Sequence, residues 1–242
     1  MWDRSDVDVL LWAVLDAVLD NPHSLPIVEV GGYLGRSLSV MASVVHQFHP
    51  AMKVHSIDPG YCRECEENLH TPERHYVTLG MKSNNDIRRA HMKRLRLDQH
   101  IQYWDRQNHD VVWDGTPIRL LVENGVAAYP RLAASVLHFE RYLIEGGHMV
   151  LRDFHNSNEN WAAQVGSLID DLVASGKFEQ AFHGDNLVVL RKLSTPSEYT
   201  VELSYGRGQP QTAEWPDPAP PGMVRPTDIV LFRERFPLRS AH

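Results

Sequence analysis

Glu29, Gly31, Gly32 and Gly35 stand together near the start of the chain, and a second acid, Asp58, follows them on what reads as the next strand. Glycine tolerates left-handed backbone and lets main-chain N–H groups come close to a ligand. A helix opening directly after such a turn adds free N–H donors. An acid that ends the following strand is placed to accept hydrogen bonds from a ribose diol. The chemistry on offer is recognition of a nucleoside-bearing cofactor. Taken singly, each feature has a plainer reading. The glycines make a tight strand-to-helix turn, and Asp58 precedes a Pro59-Gly60 turn. Their joint placement on consecutive elements is the more specific sign.

The elements that must position these residues are legible from the periodicity. Val7, Leu11, Val14 and Val18 recur at helical spacing within residues 1–20, and Ser5 to Asp8 resembles a capping box. Ile27–Val30 is a short apolar strand, Ser37–His49 a helix stopped by Pro50, and Val54–Asp58 a second strand. That is a βαβ unit with a parallel pair. Asn84–Arg96 reads as a basic helix, and Ile101–Trp104 and Ile118–Val122 as strands. Leu132, Val136, Phe139 and Leu143 mark a helix that Gly146-Gly147 closes, with a fifth strand at His148–Leu151. Asn160–Ala174 is the last helix. Phe178–Phe182 and Leu187–Arg191 pair as an antiparallel hairpin across Gly184-Asp185. Strands alternating with helices and ending in a hairpin define a doubly wound, mostly parallel α/β sheet. Ligands bind beyond the carboxyl ends of its strands, where the glycine turn and Asp58 fall.

Residues 1–194 form one domain in this reading. Residues 195–242 hold eight of the fifteen prolines, too broken for a second core. They read as an arm lying on the body or on a neighbouring subunit, which would allow a homodimer. The composition, 242 residues with 43% hydrophobic and 23% charged, excludes a disordered or collagen-like chain. A net charge of −7 argues against nucleic acid as a partner. No apolar run reaches the roughly 20 residues of a membrane span. Five aspartates and one arginine in the first 20 residues have the wrong sign for a targeting peptide. Two cysteines support no secreted disulfide framework, so the cytoplasm is expected.

The run Glu29-x-Gly31-x-Tyr33-x-Gly35-Arg36-Ser37 is similar to the first motif of class I S-adenosylmethionine-dependent methyltransferases. Within them it resembles the branch holding macrocin O-methyltransferase-like and cephalosporin-hydroxylase-like enzymes. Ile57-Asp58 resembles the second motif, Trp104-Asp105 falls where that family frames the adenine, and Leu120–Glu123 falls on the fourth strand. Tyr142–Asp153 resembles the helix, Gly-Gly turn and fifth strand. The resemblance covers about residues 25–193. It implies a seven-stranded methyltransferase sheet, S-adenosylmethionine as cofactor, and methyl transfer to a small molecule, favouring a hydroxyl of a sugar or secondary metabolite. It places Glu29, Gly31, Gly32, Tyr33, Gly35 and Ser37 under the cofactor, Asp58 on its ribose, and Trp104 and Asp105 near the adenine.

The pattern departs from the family at two strand ends. The fourth strand reads Glu123-Asn124-Gly125-Val126 and the fifth Arg152-Asp153-Phe154-His155, where the branch carries acid-rich runs that hold a divalent ion in metal-dependent members. Glu123 and Asp153 could offer oxygens to Mg²⁺. Arg152, however, sets a fixed cation beside them and can pair with either acid. The expectation is therefore transfer without a metal, with Asp153, Glu123 and His155 as catalytic candidates. An imidazole at the mouth of the site suits deprotonation of a hydroxyl, although His155 can equally be a solvent histidine.

Cys62-x2-Cys65, His70 and His75 invite a zinc reading, but no finger pattern accompanies them, and free thiols are the plainer expectation. Residues 62–83 lie at the ligand edge and could act as a substrate lid. Arg88, Arg89, Lys93, Arg94 and Arg96 read as a solvated helix face, or else as a docking patch for an anionic partner. No Gly-x-Gly-x-x-Gly, Gly-x-Ser-x-Gly or Gly-x4-Gly-Lys run is present for a dehydrogenase, hydrolase or nucleoside triphosphatase. The rival reading is a non-catalytic scaffold or regulatory subunit with the same fold, or another Rossmann-like enzyme.

Overall fold

The computed structural model describes residues 4–60, 83–125, 129–154 and 159–193. In chain order the elements are α1 (Arg4–Leu19), β1 (Ile27–Val30), α2 (Arg36–Phe48), β2 (Val54–Ile57), α3 (Asn84–Arg94) and β3 (Ile101–Trp104). There follow β4 (Ile118–Glu123), α4 (Tyr129–Phe139), β5 (Leu143–Arg152), α5 (Glu159–Ala174), β6 (Phe178–His183) and β7 (Leu187–Lys192). They build one seven-stranded sheet in the order β3-β2-β1-β4-β5-β7-β6. The first five strands run parallel, and β7 is antiparallel to both β5 and β6. The expected α/β sheet with its closing hairpin is therefore present. Its strand order reverses direction at β1 and β4, which makes the gap beyond their carboxyl ends the switch point.

Strand alternation divides the core into two layers. Ile27, Leu120 and Val122 face α1 and α2, packing with Leu10, Val14, Leu38 and Met41. Val28, Val30 and Leu121 face the other side, with Val136, Phe139, Leu168 and Leu172 of α4 and α5. Each fully buried aliphatic side chain contributes roughly 1.5–3 kcal/mol, so these two layers carry the main stabilisation of the sheet. β1 and β4 are buried along their whole length, as expected of central parallel strands covered on both faces.

Two local expectations change. The helix already runs at Arg4, so Ser5 lies inside it and is not its cap. The capping box in the structure is at α3, where Ser83 accepts from Asp86 N and Asp86 accepts from Ser83 N. Gly146-Gly147 also does not end a helix. α4 stops at Phe139, a 3-10 turn covers Glu140–Tyr142, and β5 starts at Leu143. The two glycines sit within β5, with Gly146 at φ +72°, where the register to β4 shifts between Ile118 and Leu120. The extra residues bulge out of the ladder, which glycine permits.

The register aligns the carboxyl ends. Val30 pairs with Ile57 and Glu123, Ile57 with Trp104, and Glu123 with Leu151. Backbone bonds continue one residue beyond: Gly31 N to Ile57 O at 2.9 Å, Asn124 N to Val30 O at 2.8 Å and Asp58 N to Trp104 O at 3.1 Å. Gly31, Asp58, Asp105, Asn124 and Asp153 thereby share one edge. Among the described residues no helix is long and apolar enough to cross a membrane. Cys62, Cys65, His70, His75, Val126, His155 and the arm at 195–242 lie outside the described residues.

Candidate functional site

The turn after β1 is built on left-handed backbone. Gly31 has φ +83°, Tyr33 φ +43° and Gly35, the N-cap of α2, φ +88°. A Cβ on Gly31 would stand 2.5 Å from the Gly125 backbone, so this position admits no side chain. Tyr33 adopts the same region at a cost of about 1–2 kcal/mol. Its ring is half exposed, and its N–H donates to Asp58 Oδ2 at 2.7 Å. Gly60 N–H donates to Asp58 Oδ1 at 2.8 Å. Asp58 is 5% exposed and rigidly held, and each of its oxygens retains a lone pair for a further donor.

Glu29 lies beneath this turn, fully buried. It accepts from Ser37 Oγ of α2 and from Ser56 Oγ of β2, the latter at 2.9 Å. Burial pushes its carboxyl above the ordinary range, while Ser37 and the nearby Arg88 pull it back. Ser56 is the register partner of Glu29 on the same face, so strand alternation alone could have found it. The contacts continue sideways. Asn124 Nδ2 donates to Ser37 Oγ at 3.2 Å, Arg152 Nη1 to Asn124 Oδ1 at 3.4 Å, and Arg152 Nε lies 3.6 Å from Asp153 Oδ1. Glu29 on β1 is thus connected to the end of β5 through Ser37, Asn124 and Arg152. Of the two acids open to Arg152, it is Asp153 that stands beside it.

Arg88 departs most from its expectation. Instead of forming a solvated face with Lys93, Arg94 and Arg96, it is fully buried, while those three are exposed. The cause is helical geometry: Arg88 is one turn before the buried Met92, on the face that packs under the glycine turn. Its Nη1 is 3.7 Å from Asp58 Oδ2 and its Nη2 3.7 Å from Asp105 Oδ1. Arg89, half exposed, pairs closely with Asp105 and lies over the Tyr103 ring at 4.2 Å. Trp104 and Asp105 part company here. Asp105 stays with Arg88 and Arg89, whereas the Trp104 indole turns to the opposite face of the sheet, donating to His55 Nδ1 at 3.2 Å. There, with His55 and Trp113, it lines a cavity of about 190 Å³. Burial lowers the His55 pKa to about 4, so this imidazole is neutral.

Glu123 is 2% exposed and accepts from Ser135 Oγ of α4. Burial raises its pKa to about 8, so it is mainly protonated at neutral pH. Asp153 sits at φ +70°, 5% exposed, and accepts from Asn186 Nδ2 at 3.4 Å. The two acids therefore face different elements. Among the described residues no three acid, histidine or cysteine side chains gather as metal ligands.

A mostly parallel sheet in this strand order, closed by an antiparallel hairpin, is a class I S-adenosylmethionine-dependent methyltransferase-like fold. Solved structures share it. The O-methyltransferase NovP is 14% identical with a TM-score of 0.59, covering 78% of this chain and 80% of its own. Cofactor-bound Rv0187 from MTB is 11% identical, TM-score 0.54, covering 78% and 81%. Apo CalS11, a TDP-rhamnose 3'-O-methyltransferase of calicheamicin biosynthesis, is 17% identical, TM-score 0.51, covering 78% and 80%. No protein-family model and no curated protein matches the sequence.

Proposed function

We propose that this chain is an S-adenosylmethionine-dependent methyltransferase of the macrocin-like branch, transferring methyl to a hydroxyl of a small molecule such as a sugar or secondary metabolite. The observation that carries the reading is the Asp58 carboxylate. Two backbone N–H groups, from Tyr33 and Gly60, hold it at the switch point, and one lone pair on each oxygen is left over. That donor deficit fits a vicinal diol, the recognition element of a ribose. The glycine turn fits close approach of a ligand, and Asp105 is the acid beside it for an adenine amine. The cofactor would supply an electrophilic methyl on a sulfonium.

The chain's own contribution is alignment and proton transfer. Glu29, Ser37 and Ser56 brace the turn from below. Asp153, or His155 just beyond it, would accept the proton of the acceptor hydroxyl. Glu123, buried and protonated, is better suited to pinning β4 to α4 than to acting as a base. No metal is required by this scheme. The acceptor class is drawn from the resemblance to the macrocin-like branch; NovP and CalS11, both O-methyltransferases, share the fold.

The test is thermal unfolding with S-adenosylmethionine, S-adenosylhomocysteine and NAD in parallel. A ligand that binds only the native state raises its apparent stability, so the first two should raise Tm and NAD should not. Asp153→Ala and His155→Ala should then lower turnover more than cofactor affinity; equal loss of binding removes those roles. The rival, a non-catalytic protein of the same fold, draws on the buried Arg88 beside Asp58. It predicts no shift with S-adenosylmethionine or S-adenosylhomocysteine.

A further inference from the structure

The crossover from β3 to β4 leaves a space that the methyl-transfer reading does not use. Residues 105–117 hold a 3-10 turn at Asn108–Asp110 and no α-helix, where a parallel crossover usually lays a helix on the sheet. Side chains of this connection cover part of the β2–β3 face instead. His138 of α4 donates through Nε2 to Val111 O at 2.9 Å, and the buried Trp113 ring meets Phe139 edge-on at 6.2 Å, so the connection is tied down. Between it and the sheet lies the cavity of about 190 Å³. It reaches the amino ends of β1, β2 and β4, where Pro26, Lys53 and Thr116 stand, away from the edge that carries Gly31 and Asp58.

The walls of this cavity are aromatic, and its rim carries both signs of charge. His55 lies 6.1 Å from Trp104 in a stacked arrangement and 4.9 Å from Trp113 edge-on, and the two indoles are 6.4 Å apart. Both indole N–H groups are used inside the protein, Trp104 on His55 Nδ1 at 3.2 Å and Trp113 on Thr116 O at 2.6 Å. The indoles therefore offer a guest π surface and no donor. Accepting from Trp104 leaves the neutral His55 ring with its proton on Nε2. Lys53 and Asp114 line the same cavity and are both exposed. Lys53 donates to Gln99 O at 2.6 Å and keeps further N–H donors. Thr116 N–H donates to Asp114 Oδ1 at 2.9 Å, and hydrogen bonds from the Thr116 hydroxyl and N–H hold that carboxyl below its usual range.

We propose that this cavity is a second ligand site, for a small zwitterion with an apolar body: an α-amino acid whose side chain lies among the rings while its carboxylate meets Lys53 and its ammonium meets Asp114. The site stands independently of the cofactor reading of Asp58. Charge selects the class. A simple cation would be repelled by Lys53 and by the Arg106 guanidinium, 5.8 Å over the Trp104 ring, and a simple anion by Asp114. A molecule with both charges finds a partner for each. An apolar cavity of about 150 Å³ takes benzene, so this one suits a side chain of leucine or phenylalanine size.

Titration of the full chain with L-phenylalanine and L-leucine tests this, followed through the indole N–H signals in proton–nitrogen correlation spectra. Trp104→Phe and Trp113→Phe assign the two signals. At least one amino acid should shift both saturably. Its singly charged counterparts, phenethylamine and hydrocinnamate or isopentylamine and isocaproate, should bind at least about fivefold more weakly, since each loses one ion pair. Lys53→Met and Asp114→Asn, both at exposed positions, should each weaken the amino acid by about threefold or more. Excess S-adenosylhomocysteine should leave the response in place; its loss would assign the amino acid to the cofactor edge and overturn the second site. No shift from either amino acid overturns the proposal, and so does a singly charged counterpart that binds as tightly.

Discussion

Glu123→Gln isolates one buried acid at the end of the central strand. In the folded chain burial lifts the Glu123 carboxyl from its ordinary 4.5 to about 8, with the Ser135 hydroxyl opposing the rise only in part. The folded state therefore binds this proton more tightly than the unfolded chain does. The resulting stability is fully present below pH 4.5, is lost progressively as pH rises, and is gone above about pH 8. With each pH unit of displacement worth about 1.4 kcal/mol, the loss across that window has a ceiling of roughly 5 kcal/mol. Glutamine keeps an acceptor for Ser135 but does not titrate, at the cost of about 1 kcal/mol for an amide N–H2 without a partner. Urea unfolding at pH 5, 6, 7, 8 and 9 is the assay. The variant should be equal to or slightly below wild type at pH 5 and clearly above it at pH 8 and 9. A difference of 3 kcal/mol would move the midpoint by about 1 M or more. Glu29 is also raised by burial and gives both proteins a similar background slope, so the difference between them is the informative quantity. Parallel profiles from pH 5 to 9 would refute the account, since they would mean that Glu123 is hydrated or charge-paired in solution.

Two further outcomes follow from the geometry. Gly31→Ala should destabilise by several kcal/mol, or prevent folding, because the new Cβ meets the Gly125 backbone at 2.5 Å; Gly115→Ala, at φ +91° with nothing within 4 Å, should cost only about 1–2 kcal/mol by chemical denaturation. In proton NMR the His55 ring should stay neutral at pH 5 and titrate near 4, while an unperturbed histidine is largely protonated by then; titration of His55 near 6.5 would overturn the desolvation assigned to its ring.

The strands and helices were legible because their cores are periodic. β1, β3 and the hairpin fall where alternation and the Gly184-Asp185 turn put them, and α2 is shifted by a single residue. Boundaries failed where glycine had two meanings. Gly146-Gly147 looks like a helix stop, but the decision was made by β4, whose register forces a bulge at that point. The candidate site was half legible. The glycine turn and Asp58 come together as their spacing implies, because a βαβ unit must bring the ends of its parallel strands to one edge.

Ser56 was the residue the spacing did not bring to notice; Arg88, read as part of a solvated face, and Asn124, Glu123 and Trp104 were the ones whose surroundings it did not convey, whereas Arg152 stands beside Asp153, one of the two acids its charge was expected to pair with. A pattern along one element reports which face a residue occupies, and for Arg88 the turn shared with Met92 already pointed inward. It does not report what stands opposite. By itself the sequence determined the sheet, its succession of strands and helices, and the edge at which the glycine turn and Asp58 meet, since all of these follow from local period and chain connectivity. Only the tertiary structure decided that an arginine lies buried against the glycine turn, that Asp58 is already gripped by two amides, and that Glu123 holds a proton. Charge state and hydrogen-bond supply depend on atoms from segments far apart in the chain, and burial, not residue type, sets their energies.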